Sequence, residues 1–342
     1  MNTLGCCVAL ALLAPAACSS PTASRTPAAG VQELEARLEA IRRDLKVTGM
    51  SAAIVQDGAV SWSRGFGFAD REAGVAATPA TSYHLASLTK TFAATVLLQL
   101  VEEGKLDLEA PVADFGIDLP GVRVKHLLSH TSAGTPGAAF HYDGDRFALL
   151  DRVVVGASGR SFAELVVERI VLPLGLSATA PNVQNAAAFG LTGYDPAAFA
   201  GNLAAGYTSD GSGRQAYPGH FSTAAGLISS VLDMAAYSQA LDADRLLRRE
   251  TRDRAWTPTL TPAGAALPYG LGWFVTDYRG VKVVWHYGYW TANSSLIVKV
   301  PERGLTFVVL ANTDGLSRPF NLGAGDLLSS PLAREFLEAF VR

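Results

Sequence analysis

Residues 84–104 read His84-Leu-Ala-Ser-Leu-Thr-Lys-Thr-Phe-Ala-Ala-Thr-Val-Leu-Leu-Gln-Leu-Val-Glu-Glu-Gly104. The stretch predicts a helix that starts at or near Ser87 and stops at Gly104. Phe92, Val96, Leu97, Leu98, Leu100 and Val101 leave almost no polar face before Glu102. A helix apolar most of the way round belongs inside a domain. Its first turn nevertheless carries Ser87 and Lys90, which at a spacing of three lie on one helix face. A hydroxyl beside an amine at the start of a buried helix is one way to build a serine nucleophile with a lysine base. Free N–H groups of that first turn would also favour negative charge developing near Ser87. The pair alone proves little, because the chain holds 24 Ser and six Lys. A capping Ser with a Lys reaching outward gives the same spacing.

The surrounding chain supplies the context. It has 342 residues, 49% hydrophobic and 17% charged, with a net charge of −3, enough for a large core. The mild charge and the lack of a basic run argue against a nucleic-acid partner. All three cysteines (Cys6, Cys7, Cys18) fall in the first eighteen residues. The body therefore has no disulfide and no thiol nucleophile.

Val8 to Ala17 is a short apolar run, too short to span a membrane. Residues 1–17 are expected to be a secretory signal peptide. The run ends Pro15-Ala16-Ala17-Cys18, which resembles a bacterial lipoprotein signal with Cys18 as the lipidated residue; simple secretion is the alternative. Residues 18–30 are Ser-, Pro-, Ala- and Thr-rich and read as a flexible tether. The expected location is the bacterial cell envelope, facing the periplasm, with a lipid anchor as the one membrane contact.

Leu34, Leu38, Ile41 and Leu45 recur at helical spacing. Ser51–Gln56 and Ala59–Phe66 flank Asp57-Gly58, a hairpin signal. At the far end, Val281–Tyr287, Ser294–Val300 and Leu305–Ala311 read as strands, and Pro331–Val341 as a closing helix. The middle is mainly helical: Phe147–Val155 up to Gly156, Phe162–Val171 after a Ser161/Glu164 capping box, and Val231–Leu241 after Ser230. Two early and three late strands must pair, since a lone hairpin is not stable. The expected fold is α+β: a five-stranded antiparallel sheet flanked by N- and C-terminal helices, with a large, mainly helical inserted domain. The sheet domain takes residues 31–83 and 265–342, the helical domain 84–264. A cleft between them is where a site is expected.

Three separated boxes line up: Ser87-Leu-Thr-Lys90, Tyr142-Asp-Gly144, and His286-Tyr287-Gly288. Together they resemble the serine β-lactamase and penicillin-binding protein superfamily, in its class C β-lactamase-like branch. The resemblance extends to Lys125–Gly134, Leu172–Leu176, Gly226–Met234 and Tyr269–Trp273. It implies a β-lactamase/transpeptidase-like fold, acylation of Ser87, and Lys90 or a Tyr142 phenolate as base, two alternatives that the sequence leaves open. It implies an oxyanion hole from the N–H groups of Ser87 and Tyr289, and His286 at the catalytic third-box position where many relatives carry Lys. Gly144, Tyr287, Gly288 and Trp290 would contact substrate, with Tyr289 and Trp290 walling the acyl pocket. Gly144 stands where the family usually has Asn, for which Asp143 or Asp145 would have to substitute. Ala292 and Asn293 replace the commoner Gly-Phe. These departures lower the expectation of efficient β-lactam hydrolysis.

His126 and His130 have zinc-like spacing, but no third ligand is apparent. No Gly-x-Ser-x-Gly elbow occurs in the chain. His84, His141 and His220 read as structural or surface residues. The expectation is a monomeric serine hydrolase, without metal or cofactor, acting on a small ester, an amide or a peptidoglycan-like substrate. A β-lactamase or DD-carboxypeptidase is the nearest alternative; a catalytically silent envelope binding protein of the same fold is another.

Overall fold

The computed structural model describes Met1 and residues 27–182 and 201–341. Cys18 and most of the segments expected as signal peptide and tether lie outside the described residues. A first helix, Pro27–Asp44, begins inside the stretch expected as tether. Proline suits a first helical position, where its missing N–H costs nothing.

Strand β1 (Gly49–Gln56) turns into β2 (Ala59–Asp70) across Asp57 and Gly58, whose φ values of 50° and 76° are those of the tight turn that matches strand twist. Short β3 (Val75–Ala76) pairs with the end of β2. Two-residue β4 (Tyr83–His84), β5 (Ala180–Pro181) and three-residue β6 (Leu227–Ser229) form a small separate sheet in the order β4-β6-β5. Strands β7 (Phe274–Tyr278), β8 (Val281–Trp290), β9 (Asn293–Val300) and β10 (Leu305–Ala311) follow. The main sheet is antiparallel, in the order β3-β2-β1-β10-β9-β8-β7. It thus has seven strands, not five. The expected strands pair as early-against-late, with β1 on β10 (Met50 opposite Ala311). The two extra strands are edges: β3 is only two residues long, and β7 follows directly on the Tyr269–Trp273 motif.

Each sheet face carries its own core. One buries Leu34 and Leu38 of the first helix with Phe336 and Leu337 of the closing helix, Pro331–Phe340. The other takes the helical layer, centred on helix Thr89–Glu102. Phe92, Leu97 and Leu100 of that helix are fully buried. Each such side chain contributes about 1.5–3 kcal/mol on leaving water. Lys299 of β9 crosses into this layer, donating to Asp242 Oδ2 at 2.9 Å and to Ser238 and Thr306 hydroxyls.

The middle helices mostly follow the sequence. Ser161 and Glu164 form the reciprocal cap at Phe162–Val166, and Ser230 caps Val231–Asp242. The segment expected as Phe147–Val155 is instead two helices, Gly144–Ala148 and Leu150–Ser158. Gly156 does not stop the second. It lets the Phe115 ring approach, since a Cβ there would lie 2.6 Å from that ring. The stop is Gly159, with φ of 70°.

Candidate active site

Regular helix begins at Thr89, and Ala86–Leu88 form a tight 3-10 turn ahead of it. Ser87 is therefore not a helix cap. From residue 81 to 98 it is the one residue that is not buried. Ala86 before it has φ of 47°, a left-handed conformation that costs a non-glycine residue about 1 kcal/mol or more. The surroundings hold that strained turn. Leu85 N donates to Leu227 O at 2.8 Å, and Ser295 Oγ donates to Leu85 O at 2.7 Å. Leu227 N donates to Thr89 Oγ1 at 3.0 Å. Gly288 of β8 lies against the turn so closely that a Cβ would sit 2.3 Å from Leu85 O and 2.8 Å from Ser87 N. The first and third boxes are thus pressed together, and Tyr289, with the second expected oxyanion N–H, follows directly on β8.

Lys90 is fully buried. Its Nζ lies 3.0 Å from Ser87 Oγ and donates to Ala224 O at 2.9 Å. It stands 5.3 Å from the ring centres of both Tyr142 and Phe147. Burial drives its pKa down to about 7, against a weaker opposing pull from Asp143 and Asp145. The Tyr142 phenol goes the other way: burial pushes it well above its usual value, with the Ser87 hydroxyl pulling slightly back. Its Oη is covered, and the Ser87 and Tyr287 hydroxyls lie near it without forming a well-aligned hydrogen bond. The two bases that the sequence left open are therefore unequal. Burial favours the neutral form of both groups, which suits an amine better than a phenolate as the base.

An aromatic box fixes Tyr142, with His130 at 4.3 Å, Tyr287 at 5.6 Å and Phe274 at 5.8 Å between ring centres. His130 is buried, and its Nδ1 accepts from Asp143 N at 3.1 Å. His126 Nδ1 likewise accepts from Arg123 N. His84 is buried against Tyr217, while His141 and His220 are exposed.

His286 reaches the same box, but both ring nitrogens are engaged. Nε2 pairs with Tyr269 Oη at 2.9 Å and Nδ1 with Tyr287 O at 2.6 Å. Burial, helped by the nearby Lys90, lowers its pKa to about 3. It is a neutral brace and cannot supply the cation that a lysine would bring there. Gly144 leaves open space: a Cβ there would lie 3.9 Å from Lys90 Nζ and meet nothing nearer. Asp143 does not replace the missing amide, because its carboxylate caps the next helix by accepting from Arg146 N at 2.9 Å. Trp290 shares the Ser87-facing side of β8 with His286 and Gly288. Tyr289 points to the opposite side with Tyr287 and is 46% exposed; at the end of the strand both it and Trp290 line one cavity, whose lining does not include Ser87.

Ala224 O, His130 and Tyr269 were not singled out as site residues by sequence reasoning. The last two fall within the quoted stretches Lys125–Gly134 and Tyr269–Trp273; a backbone carbonyl leaves no signal at all.

A family model described as Beta-lactamase matches residues 34–328. The chain is 28% identical over 292 residues to a D-aminopeptidase of Brucella ovis, a match covering 75% of this chain and 54% of that protein. It is 27% identical to the putative penicillin-binding protein PbpX of Bacillus subtilis, covering 70% and 66%. The chain thus spans between about half and two thirds of these relatives' length. Among solved structures, the octameric penicillin-binding protein homologue from Pyrococcus abyssi superposes with a TM-score of 0.75 at 27% identity, covering 87% of this chain and 76% of that one.

Proposed function

The chain belongs to the beta-lactamase family, and from that premise we propose that it is a serine hydrolase working through an acyl-enzyme on Ser87. One observation carries the reading. Lys90 is a fully buried amine 3.0 Å from the hydroxyl of the one uncovered residue in its segment, with a pKa near neutrality. Neutral Lys90 takes the Ser87 proton as Oγ attacks the substrate carbonyl carbon. The N–H groups of Ser87 and Tyr289 hold the oxyanion. Un-ionised Tyr142 passes the proton from Lys90 to the departing alkoxide or amine. Water then releases the acyl group from Ser87 by the reverse path.

The substrates we assign are small esters and D-amino-acid amides. The D-aminopeptidase relatives support the amide class. The empty space at Gly144 and the neutral His286 weigh against efficient β-lactam turnover, since neither offers the amide or the fixed cation that would hold such a ligand. The test is steady-state hydrolysis of p-nitrophenyl butyrate, D-alanine p-nitroanilide and a penicillin by the native protein and by Ser87→Ala. The ester or anilide should be cleaved, only with Ser87 present, and faster than the penicillin. Unchanged rates in Ser87→Ala would overturn the assignment, and a penicillin preference would move it to a β-lactamase. We further propose an envelope location through lipidated Cys18; palmitate incorporation lost in Cys18→Ala is the expected result, and incorporation that persists refutes it.

A further inference from the structure

A cavity of about 540 Å³ opens between helix Val124–Leu128 and the loop that follows helix Arg249–Ala255. Ser87, Lys90 and Tyr142 take no part in its lining. The Tyr269–Trp273 segment touches both places. Leu271 lines the cavity, whereas Gly272 packs on the catalytic helix, with a would-be Cβ 3.3 Å from Lys90 O, and Tyr269 Oη holds His286. The walls are preformed. Thr259 N donates to Tyr269 O at 2.9 Å and Leu267 N to Thr259 O at 2.8 Å. Pro136, Pro258 and Pro262 stiffen the loops that face the space.

The polar lining is unevenly matched. Its one carboxylate, Glu109, is already neutralised: Oε1 takes Lys125 Nζ at 2.7 Å, and Arg123 Nη1 stands 3.8 Å from Oε2. Arg254, also in the lining, is exposed, and its side chain has no ion pair or hydrogen bond among the described residues. The cavity therefore carries a surplus positive charge. His126 adds a directed donor. Its Nδ1 accepts from Arg123 N at 3.1 Å, so the proton of the neutral ring sits on Nε2. That nitrogen faces Gly137, another lining residue, where a Cβ would lie 3.5 Å from it. Burial, with help from Lys125, lowers the His126 pKa and keeps this tautomer in place at pH 7. The rest is apolar: Leu260 is 59% exposed, with Leu271 and the prolines in the same lining. A mostly apolar cavity with a few polar groups is the usual form of a small-molecule site.

We propose that this cavity binds a small monocarboxylate with an apolar chain, with Arg254 as its counter-ion, His126 Nε2–H as a hydrogen-bond donor, and Leu260 and Leu271 against the chain. One surplus charge and one neutral donor suit a single negative charge. A dianion such as phosphate would need a second free cation, and Lys125 is already committed to Glu109. The site stands apart from the hydrolase reading, because none of these residues belongs to the catalytic set; either can fail without the other.

The experiment is calorimetric titration of the native protein with hexanoate, acetate, hexanamide and inorganic phosphate, with hexanoate repeated on Arg254→Gln, Arg254→Lys and Ser87→Ala. Hexanoate should bind about tenfold or more tightly than acetate, which lacks the chain, and more tightly than hexanamide, which lacks the charge. Phosphate should bind more weakly than hexanoate. Arg254→Gln should weaken hexanoate by about threefold to fivefold, the scale of an exposed charge pair, and Arg254→Lys should recover most of the loss. Ser87→Ala should bind hexanoate as the native protein does. No binding of hexanoate, equal binding of hexanamide or acetate, or unchanged affinity in Arg254→Gln would each overturn the proposal. Phosphate binding as tightly as hexanoate would make this an inorganic-anion site and overturn it too. Loss of hexanoate binding in Ser87→Ala would place the carboxylate in the catalytic cleft instead. The ligand series needs no substitution, so a misfolded variant does not remove the test.

Discussion

A carboxylate introduced at position 144 should re-protonate the base. Gly144 opens a helix, is not in the left-handed region, and has only Lys90 Nζ, 3.9 Å away, near its would-be Cβ. Gly144→Asp is therefore sterically admissible and puts a negative charge about 4 Å from the amine. At an effective dielectric of about 20 that pair is worth ~4 kcal/mol. Position 144 is only half-buried, so solvent screening reduces this to ~2–3 kcal/mol, or about two pH units. Lys90 would then move from about 7 to near 9. The neutral fraction at pH 7 would drop from about a half to about one in a hundred, and the rate by roughly fiftyfold. The assay is the pH dependence of p-nitrophenyl butyrate hydrolysis from pH 5 to 10. The acid limb should sit near pH 7 in the native protein, move up by about two units in Gly144→Asp, and leave full activity at pH 10. Gly144→Asn, with no charge, should keep the limb near 7. A limb that stays in place in folded Gly144→Asp would refute a neutral Lys90 as the base.

Three further outcomes follow from the same geometry. Lys90 carries a native pKa of about 7, below its unfolded value of about 10.4, so unfolding takes up a proton between them and stability rises with pH across that window. Lys90→Met should raise stability at pH 7 by ~2–4 kcal/mol in urea titrations, after allowing for the lost partner of Ala224 O, with the gap closing toward pH 10; a less stable variant at pH 7 would contradict this. His286 is held neutral to about pH 3, so its ring resonances should stay flat from pH 8 to 5, and stability should decline as pH falls below about 6.5 toward 3. A midpoint near 6.5 in the NMR titration would show that the ring is free. Gly288→Ala should cut fluorophosphonate labelling at least a hundredfold, because the new Cβ collides with Leu85 O and displaces the Ser87 turn; near-native labelling would mean that the close approach is not needed.

The sequence exposed those features whose cause is local. Asp57-Gly58 marked the first hairpin because two positive φ angles favour such residues, and the apolar run after Ser87 marked the central helix because nothing on it can face water. The missed edge strand β7 is joined to β8 by Arg279-Gly280, with φ of 55° and 79°. That is the same turn, hidden because arginine is an uncommon first residue in it. Gly156 misled because close packing and helix termination both select glycine, and only the Phe115 ring tells them apart. In the site, the three boxes named Ser87, Lys90, Tyr142 and His286, but not their states. Whether Lys90 is neutral depends on burial by distant segments, including the carbonyl of Ala224, and the engagement of both His286 nitrogens depends on Tyr269. Neither contact leaves a periodicity or spacing to read.

The most direct test of the central claim is intact mass, with peptide mapping, after exposure to a fluorophosphonate at pH 8. A single adduct on the peptide that carries Ser87, absent from a folded Ser87→Ala protein, is the predicted result. An adduct of equal yield in Ser87→Ala, or none in the folded native protein, would contradict a working nucleophile at Ser87.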